Sequence, residues 1–186
     1  SAVGSYRSRN GFAGHPEYNA LLGGGLFGVD APSIAGFDFT VAVSTQSGEI
    51  DYQRFGDAHL NLLEVSGYAG WSHGPLRIQT VATWAHTRHD SSRSISYVEG
   101  TGPGAVFQNV NAEEEFDSQR LLLAAEIGLL FHAGPVTIEP IAAVDWATIE
   151  TDGFAETNGG PWTARIERRD DDLLTTRAGL RLGSVF

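Results

Sequence analysis

Few residue groups in this chain have spacings that carry recognisable chemistry. Gly23, Gly25 and Gly28 match Gly-x-Gly-x-x-Gly, the turn that lets a backbone approach a pyrophosphate. That chemistry needs a helix directly afterwards, and Asp30-Ala31-Pro32 follows instead and turns the chain. The glycines read better as relief of crowding in a curved strand. His86 and His89 would fall on opposite faces of a strand, which makes them a poor metal pair. Glu113-Glu114-Glu115 and Asp170-Asp171-Asp172 cluster carboxylates of the kind calcium takes. Like charges in a run repel and expose a segment, so both runs read as solvated outer loop. The Gly-x-Ser-x-Gly turn of a serine nucleophile does not occur. The expectation is no cofactor, no metal and no catalytic residue.

A second kind of chemistry is ion pairing on one face of a sheet. Side chains alternate along a strand, and Ala178, Leu180, Leu182, Ser184 and Phe186 alternate with Arg177, Gly179, Arg181 and Gly183. Leu121, Leu123, Ala125, Ile127, Leu129 and Phe131 on the apolar side leave Arg120 and Glu126 on the other. Val136, Ile138, Ala142, Val144 and Trp146 leave Thr137, Glu139 and Asp145. Phe37 to Val43 and Leu76 to Trp84 repeat the pattern, with Asp38, Thr40, Ser44, Arg77, Gln79 and Thr83 on the polar side. Arg120, Glu126, Glu139, Asp145, Arg177 and Arg181 are therefore the expected lining of a polar lumen, where acids and bases satisfy one another. Leu122 and Leu130 fall on the wrong side of this pattern. The Leu121–Phe131 run is also rich in helix formers, so a short helix there is the competing reading, and Pro140 is awkward in a central strand.

The elements that must position these charges are strands with apolar outer faces. The chain has 186 residues, one domain by length, with 23 glycines, 41% hydrophobic and 19% charged residues. Apolar stretches are short and cut by turn residues, an all-β profile. None approaches the roughly 18 residues of a membrane helix, so strands must carry any crossing. Cysteine is absent, which fits passage through an oxidising periplasm. The net charge of -11 argues against nucleic acid.

The connections alternate in kind. His73-Gly74-Pro75 and His132-Ala133-Gly134-Pro135 are tight turns and Asp30–Gly36 is slightly longer; the stretches 10–17, 46–57, 90–117 and 151–172 are long and polar. About eight strands fit between them, near 2–9, 18–30, 35–46, 58–72, 76–89, 118–132, 136–150 and 173–186. Short turns on one rim and long loops on the other are the pattern of an antiparallel transmembrane β-barrel, with the short turns periplasmic. Two aromatic belts are expected at the lipid interfaces. Phe27, Phe37, Trp71, Phe131 and Phe186 would form the periplasmic one, Trp84 and Trp146 the outer one.

These residues resemble the translocator domain of classical autotransporters, the type V secretion proteins. The likeness runs through Gly4–Gly11, Gly24–Asp30, Ser66–Trp71 with His73-Gly74-Pro75, Ala125–Gly128, Glu139-Pro140-Ile141-Ala142, Asp152–Glu156 and Arg177–Leu182. The resemblance implies an outer-membrane barrel that anchors and exports an N-terminal passenger to the cell surface. Its implied partners are outer-membrane lipid, its own passenger and linker helix, and the barrel-assembly machinery. It also implies about twelve strands, so that 1–186 would be a partial barrel domain, and it eases the objection to Pro140. Two other readings stand beside it: a small eight-stranded outer-membrane barrel with adhesive or structural outer loops, and self-cleavage of a passenger linker by acidic lumen residues.

Overall fold

The computed structural model describes residues 2–9, 18–52 and 56–184. The strands are β1 (Ala2–Arg9), β2 (Tyr18–Ile34), β3 (Phe37–Asp51), β4 (Gly56–His73), β5 (Leu76–Glu99), β6 (Val106–Leu129), β7 (Phe131–Ala133), β8 (Val136–Thr151), β9 (Phe154–Ala155), β10 (Arg165–Ile166) and β11 (Arg169–Ser184). One antiparallel sheet runs β1-β2-β3-β4-β5-β6-β8-β11, with β7 continuing β6 against β8. Apart from the short segments β7, β9 and β10, each strand pairs with the next long strand in sequence, the meander that hairpin connections produce. Among the described residues β1 and β11 are the two ends of the order and are not bonded to each other. The expected connection at 10–17 and Phe186 lie outside the described residues.

Turn chemistry fixes the short rim. Gly74 and Gly134 have φ of 57° and 64° and each precedes a proline, the glycine-first arrangement of a type II′ hairpin turn. Ala35 and Gly36 are both at positive φ, 52° and 83°, as a type I′ turn requires. That turn is shorter than the Asp30–Gly36 connection read from sequence, because β2 runs on to Ile34. Ala31 pairs Phe39 and Ile34 pairs Phe37, so a bulge absorbs Pro32 and Ser33. Pro140 is accommodated differently. The β8 ladder to β11 runs unbroken through Leu180↔Pro140, whereas the ladder to β6 stops at Gly128↔Ile141 and resumes at Phe131↔Ile138. Proline's missing donor therefore falls on the β6 side and splits β6 from β7 at Leu130, whose own N–H bonds the Pro75 carbonyl at 2.7 Å. Leu121–Leu129 is strand, so the helical alternative for that run is overturned by pairing on both sides.

The long stretches are mostly hairpins that continue past the expected strand ends. β5 and β6 stay paired from Leu76↔Leu129 to Glu99↔Val106. At 24 residues each they reach about 80 Å, where a transmembrane strand needs about ten residues. The β8–β11 hairpin resumes beyond an interruption, through Phe154↔Ile166 and Ala155↔Arg165, in the register it keeps from Val136↔Ser184 to Thr151↔Arg169.

The two faces differ in packing as well as polarity. Phe39, Val41, Trp84, Leu123, Val144, Leu180 and Leu182 sit on one face and are all at least 40% exposed. The buried residues Ala20, Ser44, Ala85, Ala112 and Glu139 sit on the other. Side chains crowd on a concave face and splay on a convex one, so the sheet curls around its polar face.

Candidate functional site: the charged inner face

The six charges expected on the polar face are joined by acid–base contacts. On β11, Arg181 reaches Glu126 on β6 at 2.8 Å and Glu139 on β8 at 3.7 Å. Its bond to Glu126 crosses the whole of β8. Arg177 donates twice to Asp145, at 3.0 and 3.1 Å, the two-pronged geometry a planar guanidinium favours. Arg120 donates to Glu64 at 2.9 Å across β5, where Ala85 is the residue between them and only 2% exposed. Glu139 fits because Gly128 lacks a side chain: a Cβ there would stand 2.6 Å from Oε1 of Glu139.

Burial is unequal across these pairs. The arginine side chains are about half exposed, while Glu139, Glu126 and Glu64 keep 10%, 17% and 26%. Partly desolvated carboxylates need their partners, and the wet guanidinium ends remain free to contact another molecule. Chemically the face can hold and orient a charged segment. Each of Glu126, Glu139 and Asp145 is already committed to an arginine.

Glu64 was missed by sequence reasoning. Its face follows from the register Ser44↔Glu64↔Ala85, and no local signal identifies it as the acid for Arg120. A second cluster was also missed, in the arm that β5 and β6 form beyond the expected strand ends. Glu156 is 7% exposed and accepts from Arg93 through both oxygens, the Nη2–Oε2 bond at 2.6 Å. The Arg93 guanidinium, helped by the Ala164 N–H, holds the Glu156 carboxyl below the ordinary carboxylate range against the opposing effect of burial. Phe116 stacks between His89 and Phe154, with ring centroids 4.6 and 4.7 Å away. Asp152 bonds the Asp117 carbonyl at 2.9 Å, and Glu113 and Thr157 exchange backbone bonds of 3.0 and 2.8 Å. The far end of the β8–β11 hairpin is thereby fastened to the β5–β6 arm.

The remaining expected positions are placed as follows. His86 and His89 lie on opposite faces, near Asp117 at 3.7 Å and Ser118 at 3.0 Å. The acid runs divide between faces: Glu115 meets Arg88, Glu114 meets Ser91, and Asp171 meets Arg169 at 2.6 Å. Among the belt residues, Phe37 packs on Trp71 at 5.9 Å and on Phe39 at 6.2 Å beside the short rim, and Phe131 is 50% exposed there. Phe27 leaves this group, since extending β2 to Ile34 moves the turn away from it. Its ladder row is Val43, Val65 and Trp84. Trp84 and Trp146 both lie on the apolar face, in adjacent rows.

A meander with an apolar convex face, a charge-paired concave face and, among the described residues, no helix long and apolar enough to cross a membrane defines the wall of an outer-membrane-type barrel. The family model described as the autotransporter beta-domain matches residues 1–186, and the chain belongs to that family, whose place is the bacterial outer membrane. The fold is similar to the translocator domain of the autotransporter NalP from Neisseria meningitidis, at 14% identity and a TM-score of 0.66, covering 89% of this chain and 55% of that one. It is similar also to the beta domain of the Bordetella autotransporter BrkA, at 19% identity and TM-score 0.53, covering 98% and 68%. The outer membrane transporter YddB from Escherichia coli shares 12% identity at TM-score 0.50, covering 98% of this chain and 29% of that one. The chain thus spans little more than half the length of the NalP domain. None of the curated proteins matches it in sequence.

Proposed function

We propose that this chain forms part of the wall of an outer-membrane translocator that anchors and exports an N-terminal passenger, and that the concave charged face lines the path and holds the linker to the passenger. The observation that carries the reading is the network spanning β4 to β11: Glu64–Arg120, Glu126–Arg181–Glu139 and Asp145–Arg177. Its half-exposed guanidinium groups can trade one partner for a carboxylate on a linker while staying paired throughout. Ser44, in the same cross-strand row as Glu64, supports this role. Its side chain is buried on the concave face, where a polar group of a linker could meet its hydroxyl.

Eight strands alone enclose an interior that side chains fill. The open order between β1 and β11 and the 55% coverage of the NalP domain support further wall strands from outside this sequence. Glu126, Glu139 and Asp145 are assigned to holding the linker and not to cutting it, because each is bound to an arginine.

The test is export in cells from the full-length protein. Replacing Arg177 and Arg181 together by leucine should lower protease-accessible passenger at the surface several-fold while the barrel stays heat-modifiable. Unchanged display would contradict the holding role.

A further inference from the structure

The convex face should be studded with large apolar side chains, because in lipid every such group gains contact. Over the middle of the sheet it is not. In two adjacent cross-strand rows, β4 and β5 present Gly67 and Ala82, then Ala69 and Thr80. Larger residues stand on either side: Val41 and Phe39 from β3, Leu123 from β6, and Trp146 and Val144 from β8. The next rows on the same face carry Trp71 and Ile78 toward the short turns and Val65 and Trp84 toward the arm. The result is an apolar basin of about 590 Å³, flanked by these larger residues of β3, β6 and β8 and sited on central strands.

We propose that this basin is a binding site for one acyl chain of a membrane lipid. The occupant follows from where the basin lies. It opens on the convex wall of an outer-membrane family barrel, between Trp71 and Trp84, at the depth where hydrocarbon surrounds the protein. A dent there that stayed unfilled would forfeit dispersion contacts on every lining group. Its volume falls within the range of specific ligand sites, and its floor is almost wholly carbon. Thr80, the hydroxyl residue of these two rows, commits its proton to the Ala69 carbonyl at 3.3 Å, so it is not left as a free donor for a polar ligand. A chain seated there exchanges more slowly than the lipid that slides over Leu180 or Leu182. The inference rests on the outward reading of the apolar face and not on passenger export.

The test measures lipid retained by the full-length protein after purification in detergent, by native mass spectrometry and by phospholipid extraction. Gly67 is the site to fill, since a Cβ there meets nothing within 4 Å. Gly67→Leu and Ala82→Leu, singly and together, should fold to a heat-modifiable barrel and retain at least five-fold less lipid than the parent. Gly25→Leu is the control: it adds the same bulk on the same face in equally open space but outside the basin, and it should leave retention unchanged. Equal retention in all variants would overturn the proposal, as would equal loss in Gly25→Leu. Recovery of a second protein chain in place of lipid, lost on filling Gly67, would assign the basin to protein association and also overturn it. If a leucine variant fails to fold, Gly67→Ala, the smallest addition, must still show a graded loss.

Discussion

Arg120 and Glu64 meet at 2.9 Å although their strands are not neighbours, and the residue over which they meet is Ala85. The bond exists because β5 presents a methyl group at that row and nothing larger. Ala85→Leu should therefore separate the pair as well as overpack the concave face, at a cost of about 1–3 kcal/mol. Ala82→Leu, on the convex face of the same strand, should cost far less. Denaturant titration of the refolded barrel would compare the two directly.

The strand that ends the sheet gives a second comparison. Leu180→Arg or Leu182→Arg puts a charge on the lipid face, at roughly 2–4 kcal/mol near the midplane. Arg181→Leu, between them, leaves the lipid face intact and frees Glu126 and Glu139. Folding yield into liposomes should fall further for the first two variants than for the third, whose larger defect should appear in passenger export.

The clasp between Arg93 and Glu156 makes the outer arm sensitive to acid. The carboxyl is held below its ordinary range in the fastened state, so its contribution is present above the unfolded carboxylate pKa and is lost as pH falls through the depressed value. Residues 152–168 should be protected from protease at neutral pH and released in acid below the usual carboxylate range. Glu156→Gln should release them at neutral pH. Limited proteolysis across pH would show a protection curve in the parent and a flat one in the variant.

Orientation can be read from two cysteines. Thr101→Cys, at the tip of the β5–β6 arm, should label in intact cells with a membrane-impermeant maleimide, and His73→Cys, at the short rim, only after lysis. Equal labelling of both in intact cells would reverse or abolish the assigned topology.

The parts legible in the sequence were those with a physical period. Where one face meets lipid and the other water, apolar and charged residues alternate, so Arg120, Glu126, Asp145 and Arg181 could be assigned to one face and Leu123, Val144 and Leu182 to the other. Gly74-Pro75 and Gly134-Pro135 marked their turns because few sequences satisfy that backbone. Beyond the membrane both faces are wet, so Asp90–Glu99 and Val106–Asp117 show no apolar period and look like loop, although they pair throughout. Partners set by register were equally hidden. Glu64 becomes the acid for Arg120 only once three strands are aligned, and Glu156 finds Arg93 only because the β8–β11 hairpin resumes after its interruption. Phe27 was misplaced for a local reason: Pro32 looked like the turn when it is a bulge.

The central claim is that one face of this sheet meets lipid and the other a water-filled, charge-lined interior. The direct measurement is a nitroxide scan along β11 from Thr175 to Leu182 in the full-length protein in liposomes, comparing collision with oxygen and with a water-soluble nickel complex. Positions Thr176, Ala178, Leu180 and Leu182 should favour oxygen and positions Thr175, Arg177, Gly179 and Arg181 the nickel complex, alternating at every residue. A scan without that two-residue period, or with its phase reversed, would contradict the account.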